Sequence, residues 1–337
     1  MQRQRDQDAN GAKRPPRAPR GRLVLAWLEG DDPDEGLLRA ALALGAQTLE
    51  ADSPKRLRQA VEPWGPKRFL YYHERRLALS ETQGETAVSA DFCSERLKAR
   101  SRRARLEAAP KAAGATRLAE LWDATAGLGV DSFLFASCGA RVTLFERDPA
   151  VFLLLLDARA RALSDPETRA AASRMRPVFG SIEDLEPCAL VGGEAGAYRF
   201  VPSGPHFFAP AAQSAADAPN ALSARGALGA LNAAGGAGGA ETFAAPPSIY
   251  LDPMFDAGKK GKAAAKKGME ALREWLGPQG DPSALLRAAR LIASRRVAVK
   301  RPVKAPFVGG EKPNHSLQGK TARFDVYLPL ARPPFAK

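Results

Sequence analysis

Short apolar runs separated by turn signals recur along the chain in two periods. Residues 118–123, 141–146, 175–179, 247–252, 295–300 and 323–328 read as strands, bounded by Gly, Pro, Asp or Asn. Residues 130–138, 149–162, 266–276 and 283–291 have helical spacing. Strand and helix alternate, which predicts an α/β fold with a mostly parallel, doubly wound sheet. Upstream, Leu23 to Leu28 reads as a strand, Gly36 to Leu44 as a helix and Lys67 to Tyr72 as another strand. Those three form a small N-terminal α/β region.

Two stretches break the pattern. Residues 1–22 are polar, basic and aperiodic, the composition of a disordered tail. Residues 191–247 carry the run Ala-Ala-Gly-Gly-Ala-Gly-Gly-Ala and read as a low-complexity insertion ahead of a strand. Disorder without a role in chemistry is expected there, with Tyr198 to Phe208 as a candidate lid. The predicted organisation is a tail at 1–22, a small α/β region at 23–92 and a main domain at 93–337 that contains the insertion at 191–247.

Composition narrows the class. At 337 residues the chain can bury a substantial core. No apolar run approaches the roughly 18 residues of a membrane span, and the basic N-terminus lacks the apolar stretch of a secretory signal. Cys93, Cys138 and Cys188 are widely spaced, and His73, His206 and His315 are scattered. The expectation is a reducing, cytoplasmic location and no metal. The net charge of +13 implies an anionic partner. Lys and Arg crowd residues 1–22, 95–111, 256–273 and 295–304. The last two clusters flank a strand with candidate chemistry, so Lys259, Lys260, Lys300 and Arg301 are assigned to RNA phosphates.

That strand is Ile249-Tyr-Leu-Asp252-Pro253-Met-Phe255. It is similar to the Asp/Asn-Pro-Pro-aromatic group of enzymes that methylate exocyclic amines of bases. Such an amine is a poor nucleophile because its lone pair is delocalised into the ring. A carboxylate and a backbone carbonyl that accept its two N–H bonds aim the lone pair at a methyl donor. Asp252 would be the carboxylate. Pro253 fixes the backbone that presents the carbonyl. Phe255 offers a stacking face, worth about 1–3 kcal/mol per base.

A second motif, Asp123-Ala-Thr-Ala-Gly127-Leu-Gly129-Val130-Asp131, joins a strand to a helix. Its glycines permit a tight turn with backbone close to a ligand at the helix N-terminus. It lacks the third glycine of a dinucleotide fingerprint, since position 132 is Ser. Glu146 ends the next strand, where an acid takes the two hydroxyls of a ribose. This order suits S-adenosylmethionine, which carries adenosine without a pyrophosphate.

Together WDATAGLGVDSFLFASCGARVTLFERDP, IYLDPMF, VAVKRP and RFDVYLP resemble the RsmJ family of bacterial 16S rRNA guanine-N2 methyltransferases. The resemblance spans about Phe69 to Leu328. It implies a class I, Rossmann-like S-adenosylmethionine-dependent methyltransferase fold with a seven-stranded-type sheet. It implies a guanine amine of small-subunit rRNA as acceptor. It also assigns cofactor contacts to Val130-Asp131, Glu146-Arg147, Ser181-Ile182 and Asp252. Val130 departs from the basic residue of the family, and the arm at residues 100–114 keeps the family's basic character while losing most glycines. The competing readings are a methyltransferase for another amino group (DNA or RNA adenine, or protein), a non-catalytic RNA-binding relative, and a nicotinamide-dependent oxidoreductase.

Overall fold

The structure is a computed structural model that describes residues 23–64, 68–81, 88–189, 195–200, 242–253, 270, 272–277, 281–319 and 321–331. It begins with β1 (Val24–Leu28), α1 (Glu35–Ala43), β2 (Gln47–Ala51), α2 (Pro54–Val61), β3 (Arg68–His73) and β4 (Arg76–Glu81). The four strands form a sheet in the order β2-β1-β3-β4, with β1 parallel to both neighbours and β3–β4 an antiparallel hairpin. Both helices start at side-chain caps. Asp34 accepts the Leu37 N–H at 2.9 Å and Ser53 accepts the Arg56 N–H at 3.4 Å. Strand alternation sends Val24, Ala26 and Phe69 to the face covered by α2. Leu25, Leu70, Leu77 and Leu79 face the main core.

The main body follows with α3 (Glu95–Ser101), α4 (Ala108–Ala113), β5 (Glu120–Asp123), α5 (Val130–Ser137), β6 (Arg141–Glu146), α6 (Pro149–Ser164), α7 (Arg169–Ala172) and β7 (Met175–Phe179). After these come β8 (Leu185–Ala189), β9 (Ala195–Phe200), β10 (Thr242–Ala244), β11 (Ser248–Leu251), α8 (Ser283–Ile292), β12 (Arg296–Pro302), β13 (His315–Gln318) and β14 (Ala322–Tyr327). Seven strands make one sheet in the order β13-β14-β12-β11-β5-β6-β7. From β7 to β12 all neighbours are parallel, and β14 runs antiparallel between β12 and β13. The sequence-derived expectation of a class I, mostly parallel sheet holds. Chain order reverses between β5 and β11, the crevice where open α/β sheets take ligands.

The central strands are buried on both faces, so they read as continuous apolar runs. Tyr250 and Ala298 point to the side of α4, α5 and α6. Ile249, Leu251, Val297 and Val299 point to the side of α8. The Arg161 guanidinium fastens the segment between the two sheets. It donates to the Ala90 carbonyl at 2.6 Å and to Asp157 at 2.8 Å, and lies 3.3 Å from Asp91. Among the described residues no helix is long and apolar enough to cross a membrane.

The flanks of the 191–247 stretch differ from the expected disorder. β9 pairs with β8 and β10 in a three-stranded antiparallel sheet. Tyr198 and Phe243 are cross-strand partners, both buried against the main core. The Tyr198 hydroxyl donates to the Leu291 carbonyl at 3.0 Å, and Phe243 meets Trp122 edge-on at 5.6 Å. Alternating aromatic and small residues at the two ends supply a core face that the Ala/Gly-rich composition between them hid. Tyr198 is thus a core residue rather than part of a lid, and residues 201–241 lie outside the described set. Of the expected helix at 266–276, residues 270 and 272–276 are helical.

Docking of the small sheet predicts that Phe243→Ala lowers the urea unfolding free energy by about 3–5 kcal/mol, the cost of emptying a buried aromatic site. A loss under about 1 kcal/mol would mean that β10 is not packed on the core.

Candidate active site

The site forms at the carboxyl ends of β5, β6, β11 and β12. Asp123 closes β5 at 2% exposure. Its Oδ1 accepts the Thr125 N–H at 3.1 Å and its Oδ2 accepts the Ser132 hydroxyl at 2.5 Å. One carboxylate therefore ties the start of the Gly turn to the first turn of α5. Gly127 and Gly129 have φ of 53° and 74°. A Cβ on Gly129 would also meet Leu155 Cδ1 at 2.5 Å and Phe92 Cζ at 2.9 Å, so glycine is required at 129 by both dihedral and space. Glu146 braces the turn from β6: it accepts the Gly127 N–H at 2.9 Å and the Asp148 N–H at 2.7 Å. Asp148 caps α6 and accepts the Trp275 indole N–H at 3.1 Å, which brings the helical residues 272–276 over the site.

β11 delivers Asp252 and Pro253 beside this turn. The Asp252 N–H donates to Thr125 Oγ1 at 2.6 Å. Period-two alternation along β12 turns Lys300 toward the same space and Arg301 away from it. The Lys300 ammonium donates to Asp131 Oδ2 and to Asp252 Oδ2, each at 2.8 Å. The Tyr250 hydroxyl donates to the same Asp131 oxygen at 2.7 Å.

Burial dominates the electrostatics. It pushes the Asp123 and Glu146 carboxyls up to about 7, against the hydrogen bonds that favour their charged forms. Asp252 is also raised by burial at the floor of the cleft, with Lys300 opposing, although its side chain keeps 40% of its surface accessible. For Lys300 burial pulls downward, but Asp252 and Asp131 overcome it and leave the ammonium more firmly protonated than usual. Tyr250 is raised by burial and by the nearby carboxylates, so its phenol stays a neutral donor.

Two adjoining chambers open here. One, of about 600 Å³, runs from the Gly turn past Glu146, Arg147 and Ser181 to Leu285. The other, of about 790 Å³, runs past Asp123, Gly129, Val130, Asp131 and Lys300 to Phe324. Thr125, Gly127, Asp252 and Leu272 line both. Asp252 thus stands at the junction.

Most of the residues singled out in the sequence converge. Asp123, Gly127, Gly129, Val130, Asp131, Glu146, Arg147, Ser181, Asp252 and Pro253 all line the chambers. Ile182 does not: its side chain is 1% exposed in the core, and Ser181 caps the short turn it begins. Two phosphate assignments are corrected. Lys300 is held by two carboxylates inside the site, and Arg301 is 5% exposed and donates to the Pro306 carbonyl at 2.6 Å. Phe255, Lys259 and Lys260 lie outside the described residues. The basic arm at 95–111 is partly consumed by internal contacts. Lys98 pairs with Asp165 at 2.9 Å, Arg100 with Glu107 at 2.7 Å and Arg102 with Glu167 at 2.6 Å, while Arg105 donates to the Cys138 carbonyl at 2.7 Å. Sequence reasoning missed Thr125 and Tyr250, although both sit inside the motifs it used. Among the described residues no cluster of His, Cys, Asp and Glu has the makings of a metal site.

Comparison with known proteins agrees with this geometry. Residues 62–187 and 221–329 match a family described as "Putative SAM-dependent methyltransferase". A protein of Neisseria meningitidis serogroup C named ribosomal RNA small subunit methyltransferase J is 34% identical over 245 residues, 73% of this chain and 78% of its own length. The protein of that name from Pseudomonas aeruginosa is 38% identical over 205 residues, 61% of this chain and 58% of its own. The crystal structure of a SAM-dependent methyltransferase from Neisseria gonorrhoeae aligns with a TM-score of 0.55 at 27% identity, covering 90% of this chain and 96% of that one.

The raised Asp123 carboxyl has a consequence for stability. Its native form holds its proton up to about pH 7, whereas the unfolded carboxyl releases it near 4. This contribution is therefore present at low pH and lost as pH rises through the folded value. Relative to Asp123→Asn, the native chain is expected to lose about 2–3 kcal/mol of unfolding free energy between about pH 5 and pH 8. Parallel curves for the two proteins in urea titrations would contradict an Asp123 carboxyl buried in this way.

Proposed function

The chain belongs to the SAM-dependent methyltransferase family, and we propose that it methylates the exocyclic N2 amine of a guanine in 16S rRNA of the small ribosomal subunit. The observation that carries the reading is Asp252-Pro253 at the end of β11, where the two chambers meet. The names of the relatives supply small-subunit rRNA as substrate, and the Asp-Pro-x-aromatic group supplies an amine as acceptor. Acting on ribosomal RNA, the chain would work in the cytoplasm.

The residues suit S-adenosylmethionine. The chambers are lined by carboxylates, from Asp123, Asp131, Glu146 and Asp252, which match a ligand with hydroxyls, an ammonium and a sulfonium and would repel a pyrophosphate. Glu146 would accept the ribose hydroxyls, with Arg147 and Ser181 beside it. The Gly127–Gly129 turn and Asp123 would take the amino-acid end. When bound, the cofactor supplies a methyl group on a cationic sulfur, already electrophilic, so the protein contributes position and field. Asp252 accepts an N–H of the guanine amine and receives its proton as the nitrogen is alkylated. Pro253 holds the neighbouring backbone, and Phe255 stacks the base after it leaves its helix.

Two experiments test the reading. Labelled methyl groups from S-adenosylmethionine should appear in 16S rRNA of undermethylated 30S subunits as N2-methylguanosine, and Asp252→Ala should cut the rate by about 10²-fold or more. Recovery of the label on adenine or protein, or an undiminished rate in the variant, would overturn it. Glu146 is protonated below about 7, and ribose hydroxyls need the ionised acceptor. Calorimetry should therefore show cofactor affinity tightening as pH rises through about 7, and Glu146→Gln should bind more weakly with little pH dependence. A pH-independent affinity in the native chain would remove Glu146 from the ribose.

A further inference from the structure

The Lys300 ammonium joins two carboxylates from separate elements. Asp131 lies in the first turn of α5 and Asp252 just beyond β11, and both receive it through Oδ2 at 2.8 Å. Among the described residues, Asp252 Oδ1 has no hydrogen-bond partner and Asp252 remains 40% accessible at the chamber junction. The bridge thus leaves one carboxylate oxygen engaged and its twin unengaged among the described residues, on a side chain that lines both chambers. We propose that Lys300 is a positioning residue for methyl transfer: it holds Asp252 ionised through Oδ2 and reserves Oδ1 for the acceptor amine. The inference rests on the methyltransferase reading and adds the residue that makes Asp252 competent.

The physical need is specific. Two carboxylates that share a cleft repel, and one of them tends to take up a proton. A protonated Asp252 would place a donor where the amine needs an acceptor. The charged and titratable groups around it are Asp131 on α5, Asp123 on β5, Tyr250 on β11 and Lys300 on β12, with Arg100 of α3 across the chamber in its pair with Glu107. Burial raises Asp252 and Asp131 adds to it, the phenol is neutral, and Lys300 is the cation in direct contact that opposes both. During transfer the amine would form its N–CH3 bond as the S–CH3 bond of the bound methyl donor breaks, that bond's electron pair staying on the sulfur, which becomes a neutral thioether, and the amine would give one N–H proton to Asp252 Oδ1. The positive charge that arrives with the methyl group leaves the base as that proton, the carboxylate becomes neutral, and Lys300 keeps its own proton throughout.

The test is the pH profile of single-turnover methyl transfer to undermethylated 30S subunits at saturating S-adenosylmethionine. Native chain, Lys300→Met, Lys300→Arg and Asp131→Asn are compared, with the fold of each checked by thermal melting. Lys300→Met should move the acid limb upward by about one pH unit or more, which is about a tenfold loss near neutrality, and recover to within about threefold at pH 9. Lys300→Arg should follow the native profile within about threefold. Asp131→Asn removes the like charge and should move the limb downward. Asp123 and Glu146 remain in every protein compared; Asp131 also raises Asp123, so the Lys300 variants, which leave every carboxylate in place, report Asp252 most directly. A folded Lys300→Met with a loss equal at all pH values, or with the native profile, overturns the proposal. So does an unshifted limb in Asp131→Asn, should the methionine variant not fold. If the native chain transfers nothing at any pH, the methyltransferase reading itself fails.

Discussion

Everything at the site depends on how four carboxyl groups are held close together at one edge of an apolar sheet. Asp123, Asp131, Glu146 and Asp252 gather at the carboxyl ends of parallel strands, inside a sheet that is apolar on both faces. Each is anchored by short, directed contacts: backbone N–H groups for Glu146, Thr125 and Ser132 for Asp123, Lys300 and Tyr250 for Asp131. Such a concentration of acid destabilises the chain as it ionises. The apolar strands β5, β6, β11 and β12 offset that cost, and functional groups held against local preference are where a fold spends stability.

The same arrangement separates two kinds of charge that the composition merges. The chain is strongly basic overall, yet the chambers are acidic. A cationic cofactor and a polyanionic substrate are therefore attracted to different surfaces. Basic residues are also unequal. Lys98, Arg102 and Arg105 fasten α3 and the arm after it to the body through carboxylates and a carbonyl, and Arg100 ties α3 to Glu107 within the arm. Surface pairs of this sort add little stability each, but they hold the arm where Arg100 and Glu107 line the same chamber as the Gly turn.

Much of the fold was legible in the sequence, because doubly buried parallel strands are continuous apolar runs and are hard to miss. β6 and β7 fall on their expected residues and β5, β11, β12 and β14 within a residue or two. β2, with no fully buried residue, and β13, with one partly buried Leu317, carry no apolar run to betray them. Asp123, Gly127, Gly129, Glu146 and Asp252 were legible because strand end, turn and helix start follow one another locally. Lys300 was misread because its partners lie 169 and 48 positions away, and a Lys in a basic run resembles any other until strand pairing sets its face. Ile182 was misplaced by a one-dimensional alignment that cannot tell an outward serine from the inward residue after it.

β9 and β10 leave one further mark on the molecule. Arg199 and Thr242 face each other across the antiparallel pair, so the chain departs toward residues 201–241 and returns at almost the same point. Because the exit and return residues are themselves paired, the register of the two strands is set by Tyr198 and Phe243 rather than by the length of chain between them. Closing a longer loop costs only about 0.6 kcal/mol per doubling. The small sheet is in effect a clasp. It separates the tract between Phe200 and Thr242 from β11, the strand that ends at the catalytic Asp252, and it marks a natural seam for grafting a reporter domain.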